Sequence, residues 1–279
     1  MSSLDEQYLV LLKHLMREGV EEVNARTQHT IRALPGITIE IADTSRDFPL
    51  LTLRKIATRV FIAEQIWFLT GERIADNFLT QFTHIWDEFT NVNGIISTAY
   101  GYRWRKHFHR DQLEELVHLL ERDPSSRQGV VIAWDPAADG LTSGINRKNV
   151  PCPFAFTVNI IGGRLNLHNM VRSQDVLLGM PHDIAGFCLL QHILAARLKV
   201  QPGKYTHSIS HAHIYDVHFE AAGTLLGRQA SHAPIVLHVP PDAYERGLAG
   251  DAQLVYELES QFAAQYHPQP ALPKLKVVL

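Results

Sequence analysis

The sequence has little cysteine, almost no net charge and no long apolar run, and each shortage excludes a class of protein. Two cysteines, Cys152 and Cys188, in 279 residues cannot build a disulfide framework, and no CxxC pair indicates a zinc site. A formal charge of −3 gives no basic field to collect nucleic acid. The apolar runs are shorter than the roughly 20 residues of a membrane span, and the first residues lack a signal-peptide pattern. We therefore expect a reduced, cytoplasmic protein that needs no metal, membrane or nucleic acid.

The chain also lacks a linker rich in glycine, serine or proline, so residues 1–279 are expected to form one domain. Helical spacing of apolar residues predicts helices over residues 4–19, 56–72, 111–123 and 184–200. Alternation predicts strands over residues 37–43, 128–134 and 205–215, and a hairpin over 154–171 that turns at Gly162-Gly163. The 46% hydrophobic content supports a substantial core, and the mixture of elements indicates an α+β domain.

One of the two cysteines, Cys152, stands between two prolines in NVPCPFAF (149–156). A nucleophilic cysteine needs a cationic neighbour and a partly exposed site, whereas a free cysteine is more often a packing residue. Further along, VRSQDVLLGMPHDIAGF (171–187) places polar residues where a strand ends and a helix begins. Such junctions bind anionic ligands, because the N–H groups of the first helical turn point outward.

Longer motifs occur in the order found in thymidylate synthases and their relatives, over roughly residues 5–279. They are DFPLLTLRK (47–55), QIWFLTGE (65–72), IWDEF (85–89), AYGYRWR (99–105), DPSSRQ (123–128), VPC (150–152), RSQDVLLGMPHDIA (172–185) and HAHIYDVH (211–218). The chain therefore resembles this family. The resemblance implies a thymidylate-synthase-like α+β domain with a mixed β-sheet covered by helices, and a homodimer joined sheet to sheet.

The resemblance assigns catalytic roles around the thiol. Cys152 matches the nucleophile that adds to C6 of a pyrimidine and makes C5 a carbanion-like carbon. Glu64 matches the glutamate that organises proton transfer through ordered water, and Tyr100 matches a tyrosine implicated in removing the C5 proton. Arg172 matches a phosphate-binding arginine close to the thiol, where we expect it to lower the pKa of Cys152 from about 8.5.

The same resemblance implies contacts to two small molecules. The nucleotide contacts are Arg26, Ser173, His213, Tyr215 and Arg127, the last matching an arginine that the partner subunit contributes. Contacts to the cosubstrate, 5,10-methylenetetrahydrofolate, are implied for Trp86, Asp175, Leu178 and Gly179. Taken singly, Trp86, Glu64, His213 and Arg127 are better explained as core or surface residues, and it is their joint occurrence in family order that favours the functional roles.

Position 183 departs from the thymidylate pattern in a way that concerns the base. Thymidylate synthases carry asparagine in G-x-P-F-N-I-A-S-Y, whereas this chain has GMPHDIAGF (179–187), with Asp183. An asparagine amide offers a donor and an acceptor to O4 and N3–H of uracil, but an ionised carboxylate only accepts. It suits the N4 amino group of cytosine and an N3 that is protonated as the thiolate adds. Asp183 therefore predicts dCMP in preference to dUMP, and it resembles the residue of the deoxycytidylate (dCMP/CMP) 5-hydroxymethylases.

Other departures bear on the product. Phe89 replaces a tryptophan, His182 a phenylalanine, Pro153 a histidine and Gln128 an arginine. Hydride addition to the methylene formed at C5 gives a methyl group, and water gives a hydroxymethyl group. The first two changes favour water, although the retained Trp86 leaves the choice open. We expect 5-hydroxymethyl-dCMP as product; the alternatives are a dCMP or CMP methylase, a CMP hydroxymethylase, a thymidylate synthase acting on dUMP, and a non-catalytic nucleotide- or RNA-binding relative.

Overall fold

Helices and strands are interspersed along the computed structural model, which describes residues 3–75, 78–140, 150–230 and 233–278. The helices are α1 (Leu4–Glu18), α2 (Thr58–Thr70), α3 (Tyr100–Tyr102), α4 (Gln112–Arg122), α5 (Met180–Arg197), α6 (Phe219–Leu226), α7 (Ala243–Leu248) and α8 (Ala252–Ala263). The strands are β1 (Val20–Val23), β2 (Thr30–Ile41), β3 (Val130–Ile132), β4 (Pro153–Ile161), β5 (Arg164–Val171), β6 (Gln174–Asp175) and β7 (Gln201–Tyr215). Helix α3 runs directly into a π-helical turn, Arg103–His107.

Within these ranges the strands form one mixed sheet in the order β1-β2-β7-β5-β4-β3, with β6 beside β7. Strand β7 is parallel to β5 and β6, and the other pairs are antiparallel. Parallel neighbours need a crossover connection, and helix α5 supplies it by running from β6 to β7 while packing against β5 and β7. The α+β class with a mixed sheet flanked by helices is thus confirmed.

The hairpin of β4 and β5 turns where the sequence predicts it. Gly162 and Gly163 have φ values of 59° and 72°, and a two-residue turn of this type needs positive φ at both positions. The side chains of β5 then alternate, with Leu165 and Leu167 buried in the core and His168 on the opposite face. The register set at the turn holds as far as Ala155 opposite Met170, and an irregularity then shifts it by one residue, so that Pro153 lies opposite Val171.

Several predicted boundaries were wrong. Strand β2 begins at Thr30 rather than residue 37, because the ladder with β7 continues on both sides of Pro35-Gly36. Strand β7 begins at Gln201 rather than residue 205, and β3 is confined to Val130–Ile132 rather than 128–134. Helix α5 begins at Met180 rather than residue 184, since Pro181 fits the first helical turn, where its missing N–H costs no bond.

The core unites residues from both ends of the described chain. Its buried members run from Leu4 in α1 to Phe262 in α8. Helix α5 is buried continuously from Ile184 to Ala195, and Met180 and Pro181 of its first turn are also buried, so it is the central helix. None of the helices in the described ranges is long and apolar enough to cross a membrane.

Candidate active site

Strand pairing brings the thiol and a guanidinium together. Cys152 immediately precedes β4 and Arg172 immediately follows β5, and the N–H of Arg172 donates to the carbonyl of Cys152 at 2.9 Å. The Arg172 side chain donates from Nε to Pro151 O and from Nη2 to Val150 O, both at 2.8 Å. These bonds place Nη2 at 3.6 Å from the Cys152 Sγ. The thiol is therefore held on a backbone that is tied to its own cationic neighbour.

The environment of the thiol does not lower its pKa overall. Burial raises the pKa of Cys152, and the charge of Asp183 adds to that effect, while Arg172 and Arg26 oppose it. The expectation that Arg172 lowers the thiol pKa was right for its own contribution and wrong for the net result, because desolvation of the thiolate is the larger effect. The N–H of Cys152 also donates to Tyr100 Oη at 3.1 Å, so the tyrosine directly contacts the nucleophile's backbone.

A glutamate and a tryptophan lie beside this pair. Trp86 Nε1 donates to Glu64 Oε1 at 2.7 Å, and the indole ring packs at 6.1 Å from the Tyr100 ring. Burial, with a smaller contribution from the charge of Asp183, raises the pKa of Glu64 to about 8, against the hydrogen bond from Trp86. Glu64 is consequently protonated at neutral pH and has a proton to donate.

Asp183 is the second carboxyl group of the site, in the first turn of α5. Its Oδ2 accepts a hydrogen bond from Gln174 Nε2 at 2.8 Å. Burial raises its pKa to about 6, the bond from Gln174 lowers it, and Asp175 raises it. At neutral pH these pKa values leave Asp183 largely ionised and Glu64 largely protonated, so the two carboxyl groups differ in charge.

These side chains are partly exposed and lie near one another. Cys152, Glu64, Tyr100 and Asp183 are each only half-buried by surface area, yet protein surrounds them closely enough for desolvation to raise the pKa of all four. Both observations hold for groups that line a cavity connected to solvent. A small polar ligand can therefore reach the thiol and both carboxyl groups.

The turn between β5 and α5 positions the next group of residues. Asp175 Oδ1 accepts from the N–H groups of Leu177 and Leu178, both at 2.9 Å. A Cβ added to Gly179 would lie 3.1 Å from Gln174 Nε2 and 3.7 Å from Asp183 Oδ2, so this glycine borders the base of the cleft. Ser173 lies between Arg172 and this turn and is half-buried.

Strand β7 adds the pair His213 and Tyr215, whose rings meet edge to face at 5.0 Å. His213 lies opposite Asp175 in the β6–β7 ladder. Its Nδ1 is buried and makes no hydrogen bond with the described residues, and burial lowers its pKa. A buried ring nitrogen without a protein partner at the edge of the cleft has an open position for a ligand hydroxyl.

The two remaining arginines differ. Arg26 is exposed in the turn before β2, and its charge lowers the pKa of Cys152, His213 and Tyr215. It therefore faces the site. Arg127 is exposed before β3, and within the described ranges no hydrogen bond, ion pair or charge interaction links it to another predicted site residue.

Sequence reasoning missed several residues that the structure places here. Gln174 contacts Asp183, and His207 contacts Gln174. The Arg172 guanidinium lies 5.7 Å from the centre of the Trp134 ring. Gln174 lies inside the RSQD motif and carried a signal that was not used, whereas nothing in the local sequence distinguishes Trp134 or His207 from core residues.

A thiol beside a guanidinium, with an acid and a base in one cleft, defines a site suited to covalent catalysis on an anionic substrate. The chain belongs to the thymidylate synthase family, whose model, described as Thymidylate synthase, matches residues 6–270. Membership indicates a folate-dependent transferase that moves a one-carbon unit to C5 of a pyrimidine nucleotide, with methylenetetrahydrofolate as cosubstrate.

Proposed function

We propose that this protein is a deoxycytidylate 5-hydroxymethylase, in which dCMP, 5,10-methylenetetrahydrofolate and water give 5-hydroxymethyl-dCMP and tetrahydrofolate. The observation that carries the proposal is Asp183, a hydrogen-bond acceptor whose charge acts on Cys152, Glu64 and Tyr100. An acceptor at this place is complementary to an amino-pyrimidine.

The preference for cytosine follows from hydrogen-bond polarity. Ionised Asp183 accepts from the N4 amino group and from N3 once N3 is protonated. Against uracil the carboxylate would face the O4 acceptor, and such a buried mismatch costs about 1–3 kcal/mol or more, or roughly ten- to over a hundredfold in specificity. The pKa of about 6 leaves Asp183 mostly ionised at neutral pH.

The roles proposed for the other residues are those that the family resemblance implies. The Cys152 thiolate forms a bond to C6, and the ring electrons move toward C5 and N3. Arg172, with Arg26, Ser173 and a partner arginine, binds the phosphate and favours the thiolate. Protonated Glu64 supplies a proton, Tyr100 removes the C5 proton, and His213 with Tyr215 holds the 3′-hydroxyl.

The far side of the cleft fits a flat ring with hydrogen-bonding edges. Trp86 presents a half-exposed indole, and Asp175 offers a carboxylate whose Oδ1 is fixed by two backbone N–H groups. Leu178 and Gly179, both partly exposed, lie in the turn that leads into α5. Methylenetetrahydrofolate supplies the one-carbon unit when bound, and these four residues would orient it.

Two features support water as the final reactant. His182 is a polar ring where the family pattern has phenylalanine, and burial lowers its pKa to about 4, so it is a neutral hydrogen-bonding group. Its Nδ1 lies 3.3 Å from the Leu178 carbonyl. Phe89, smaller than the tryptophan of the pattern, packs at 5.4 Å from Trp86. A more polar and wider cavity admits water to the methylene carbon.

The proposal includes a homodimer of single-domain subunits. Residues 1–279 are proposed to form one domain because one core joins α1 to α8. Arg127 is proposed to reach the phosphate of the opposite subunit, since it is exposed and lies apart from the site of its own chain.

The decisive experiment incubates the protein with methylenetetrahydrofolate and either dCMP or dUMP and measures product masses. We expect 5-hydroxymethyl-dCMP with tetrahydrofolate, and little product from dUMP. Rapid turnover of dUMP without turnover of dCMP would overturn the proposal. Dihydrofolate with 5-methyl-dCMP would instead identify a methylase. Cys152→Ser should abolish turnover while retaining nucleotide binding, which excludes catalysis by a contaminant.

A further inference from the structure

A chain of buried side chains runs from strand β7 to Asp183. Tyr205 Oη lies 3.0 Å from His207 Nδ1, and His207 Nε2 lies 3.0 Å from Gln174 Oε1. Gln174 Nε2 then donates to Asp183 Oδ2 at 2.8 Å. Tyr205, His207 and Gln174 are 0%, 0% and 3% exposed, so water does not compete for these bonds. We call these three side chains the buried relay.

All hydrogen bonds of the buried relay can form at once when every donor points toward Asp183. Burial lowers the pKa of His207 to about 3, so the ring is neutral, with one donor and one acceptor nitrogen. The amide oxygen of Gln174 only accepts, so His207 Nε2 must carry the proton. His207 Nδ1 is then the acceptor, and it faces the Tyr205 hydroxyl and the Asn169 amide, whose nitrogen lies 3.4 Å away. Every donor in the relay points toward Asp183.

Asp183 needs this donor because its other neighbours disfavour a negative charge. The titratable groups that act on it or respond to its charge are Glu64 on α2, Tyr100 on α3, Cys152 before β4, Asp175 on β6 and Tyr205 on β7. These groups are neutral when protonated and negative when deprotonated, so none of them is a cation. Within the described residues, Gln174 is the side chain that hydrogen-bonds to the Asp183 carboxyl group.

We propose that Gln174, oriented by His207 and Tyr205, is a positioning residue that keeps Asp183 a hydrogen-bond acceptor and so sets the choice of pyrimidine. The inference rests on the proposed function for its effect on substrate choice. A glutamine free to rotate could present either its oxygen or its nitrogen to Asp183, and its oxygen would favour a protonated carboxyl group, which donates. In the structure the Gln174 oxygen faces His207 Nε2 instead, where the ring N–H donates to it. Replacing the amide removes the bond that favours the ionised form.

The kinetic test compares two buried glutamines. Gln174→Met keeps the length of the side chain and removes its donor, while Gln191→Met makes the same change on α5 at a glutamine that bonds to the Leu165 and Lys204 carbonyls. We expect Gln174→Met to lower kcat/KM for dCMP about ten- to a hundredfold and to reduce the ratio of dCMP to dUMP turnover. Gln191→Met should lower Tm and leave that ratio unchanged. An unchanged ratio in Gln174→Met would overturn the inference.

A second test does not depend on substrate. Infrared spectroscopy follows the protonated carboxyl band with pH, and its loss in Asp183→Asn assigns the band. We expect a higher titration midpoint in Gln174→Met than in wild type, and no shift in Gln191→Met. An unshifted midpoint in Gln174→Met contradicts the relay. If wild type fails to turn over dCMP, the proposed function fails, yet a raised midpoint would still support the role of Gln174 toward Asp183.

If Gln174→Met does not fold, Tyr205→Phe decides the matter. This change keeps the ring and removes the hydroxyl nearest to His207 Nδ1, while the Asn169 amide at 3.4 Å remains. We expect the titration midpoint of Asp183 to rise, but by less than complete loss of the Gln174 amide would raise it. A midpoint equal to that of wild type shows that Tyr205 has no effect on Asp183 and overturns the proposed relay.

Discussion

Two carboxyl groups share the cleft and differ in protonation because their partners differ. Burial raises the pKa of Glu64 most, and the nearby charge of Asp183 raises it further. The single hydrogen bond that Glu64 accepts, from the Trp86 indole N–H, lowers the pKa by less, so the value is about 8. Asp183 receives the Gln174 amide and lies in the first turn of α5, and its pKa is about 6. Helix N-termini also favour a negative charge at such a position.

These values predict a bell-shaped pH dependence of kcat/KM for dCMP. Activity should fall below about pH 6 as Asp183 is protonated, and above about pH 8 as Glu64 loses the proton that it donates. Initial rates across pH 5 to about 9.5 give the profile. In Glu64→Gln the residual activity should lack the alkaline limb. An alkaline limb that persists in this variant would show that another group titrates there, since ionisation of Cys152 would raise the rate.

Substituting Asp183 should reverse the preference for the base. In Asp183→Asn the Gln174 amide still donates to the side-chain oxygen and leaves the new NH₂ group as a donor toward the ring. A donor suits O4 of uracil, so the ratio of kcat/KM for dCMP to that for dUMP should fall by about a hundredfold or more. Parallel assays with both nucleotides measure it. Retained preference for dCMP would contradict the role assigned to Asp183.

Among the helices, the π-helical turn after α3 anchors two parts of the site. It buries Arg103, 1% exposed, at 3.2 Å from Asp139 and 3.6 Å from Asp135. His107 Nε2 also contacts Asp135 at 2.7 Å. The turn continues from the helix that carries Tyr100, and the two aspartates follow Trp134, which faces Arg172. The ion pairs thus link the segment that carries Tyr100 to the segment that carries Trp134, the neighbour of Arg172.

Removal of that buried cation should destabilise the protein strongly. Arg103→Ala leaves Asp139, which is 1% exposed, without its guanidinium, and we expect a loss of about 3–5 kcal/mol in the free energy of unfolding. Lys106→Ala, in the same turn, removes a solvent-exposed pair with Glu72 and should cost less than about 1 kcal/mol. Urea unfolding at constant pH measures both. Equal losses in the free energy of unfolding for the two variants would show that the buried ion pair of Arg103 stabilises the protein no more than an exposed one.

Local pattern predicted the elements whose signal lies within a few residues. The β4–β5 hairpin follows from two glycines, and helix α2, Thr58–Thr70, follows from a continuous apolar segment that ends at Gly71. Strand β6 could not be predicted, because its two residues are a strand only through pairing with Ala212 and His213 of β7. Helices α6, α7 and α8 were not predicted from the sequence.

The residues of the candidate site also fall into two groups: those that the sequence predicted, and those that only the fold brings together. Cys152 and Arg172 were predictable through family order, and the strand register explains their contact. Gln174 and His207 interact across 33 residues, and only the fold makes them neighbours of Asp183. The net rise in the pKa of Cys152 was missed because it depends on burial, which the motif does not encode.

The sheet has two unlike faces, which bears on assembly. One face holds the core, while the other carries Thr157, His168 and Ser208, with His168 Nε2 at 2.7 Å from Ser208 Oγ. At its margins Val130 and Ile161 are 51% and 69% exposed. A second subunit on this face would cover these exposed apolar side chains, and Arg127 lies just before β3, an edge strand of the same sheet. The proposed dimer therefore predicts that neither subunit's site is complete alone.

Mixing two inactive variants tests whether each active site takes residues from both subunits. Cys152→Ser and Arg127→Ala should each be inactive or weak, and a refolded equal mixture should regain roughly a quarter of wild-type sites, because half the dimers then hold one intact site of two. Cys152→Ser mixed with Arg172→Ala is the control and should regain nothing, since Arg172 contacts the thiol of its own chain at 3.6 Å. Recovery in neither mixture, or full activity from a monomer in sedimentation, would refute the shared site.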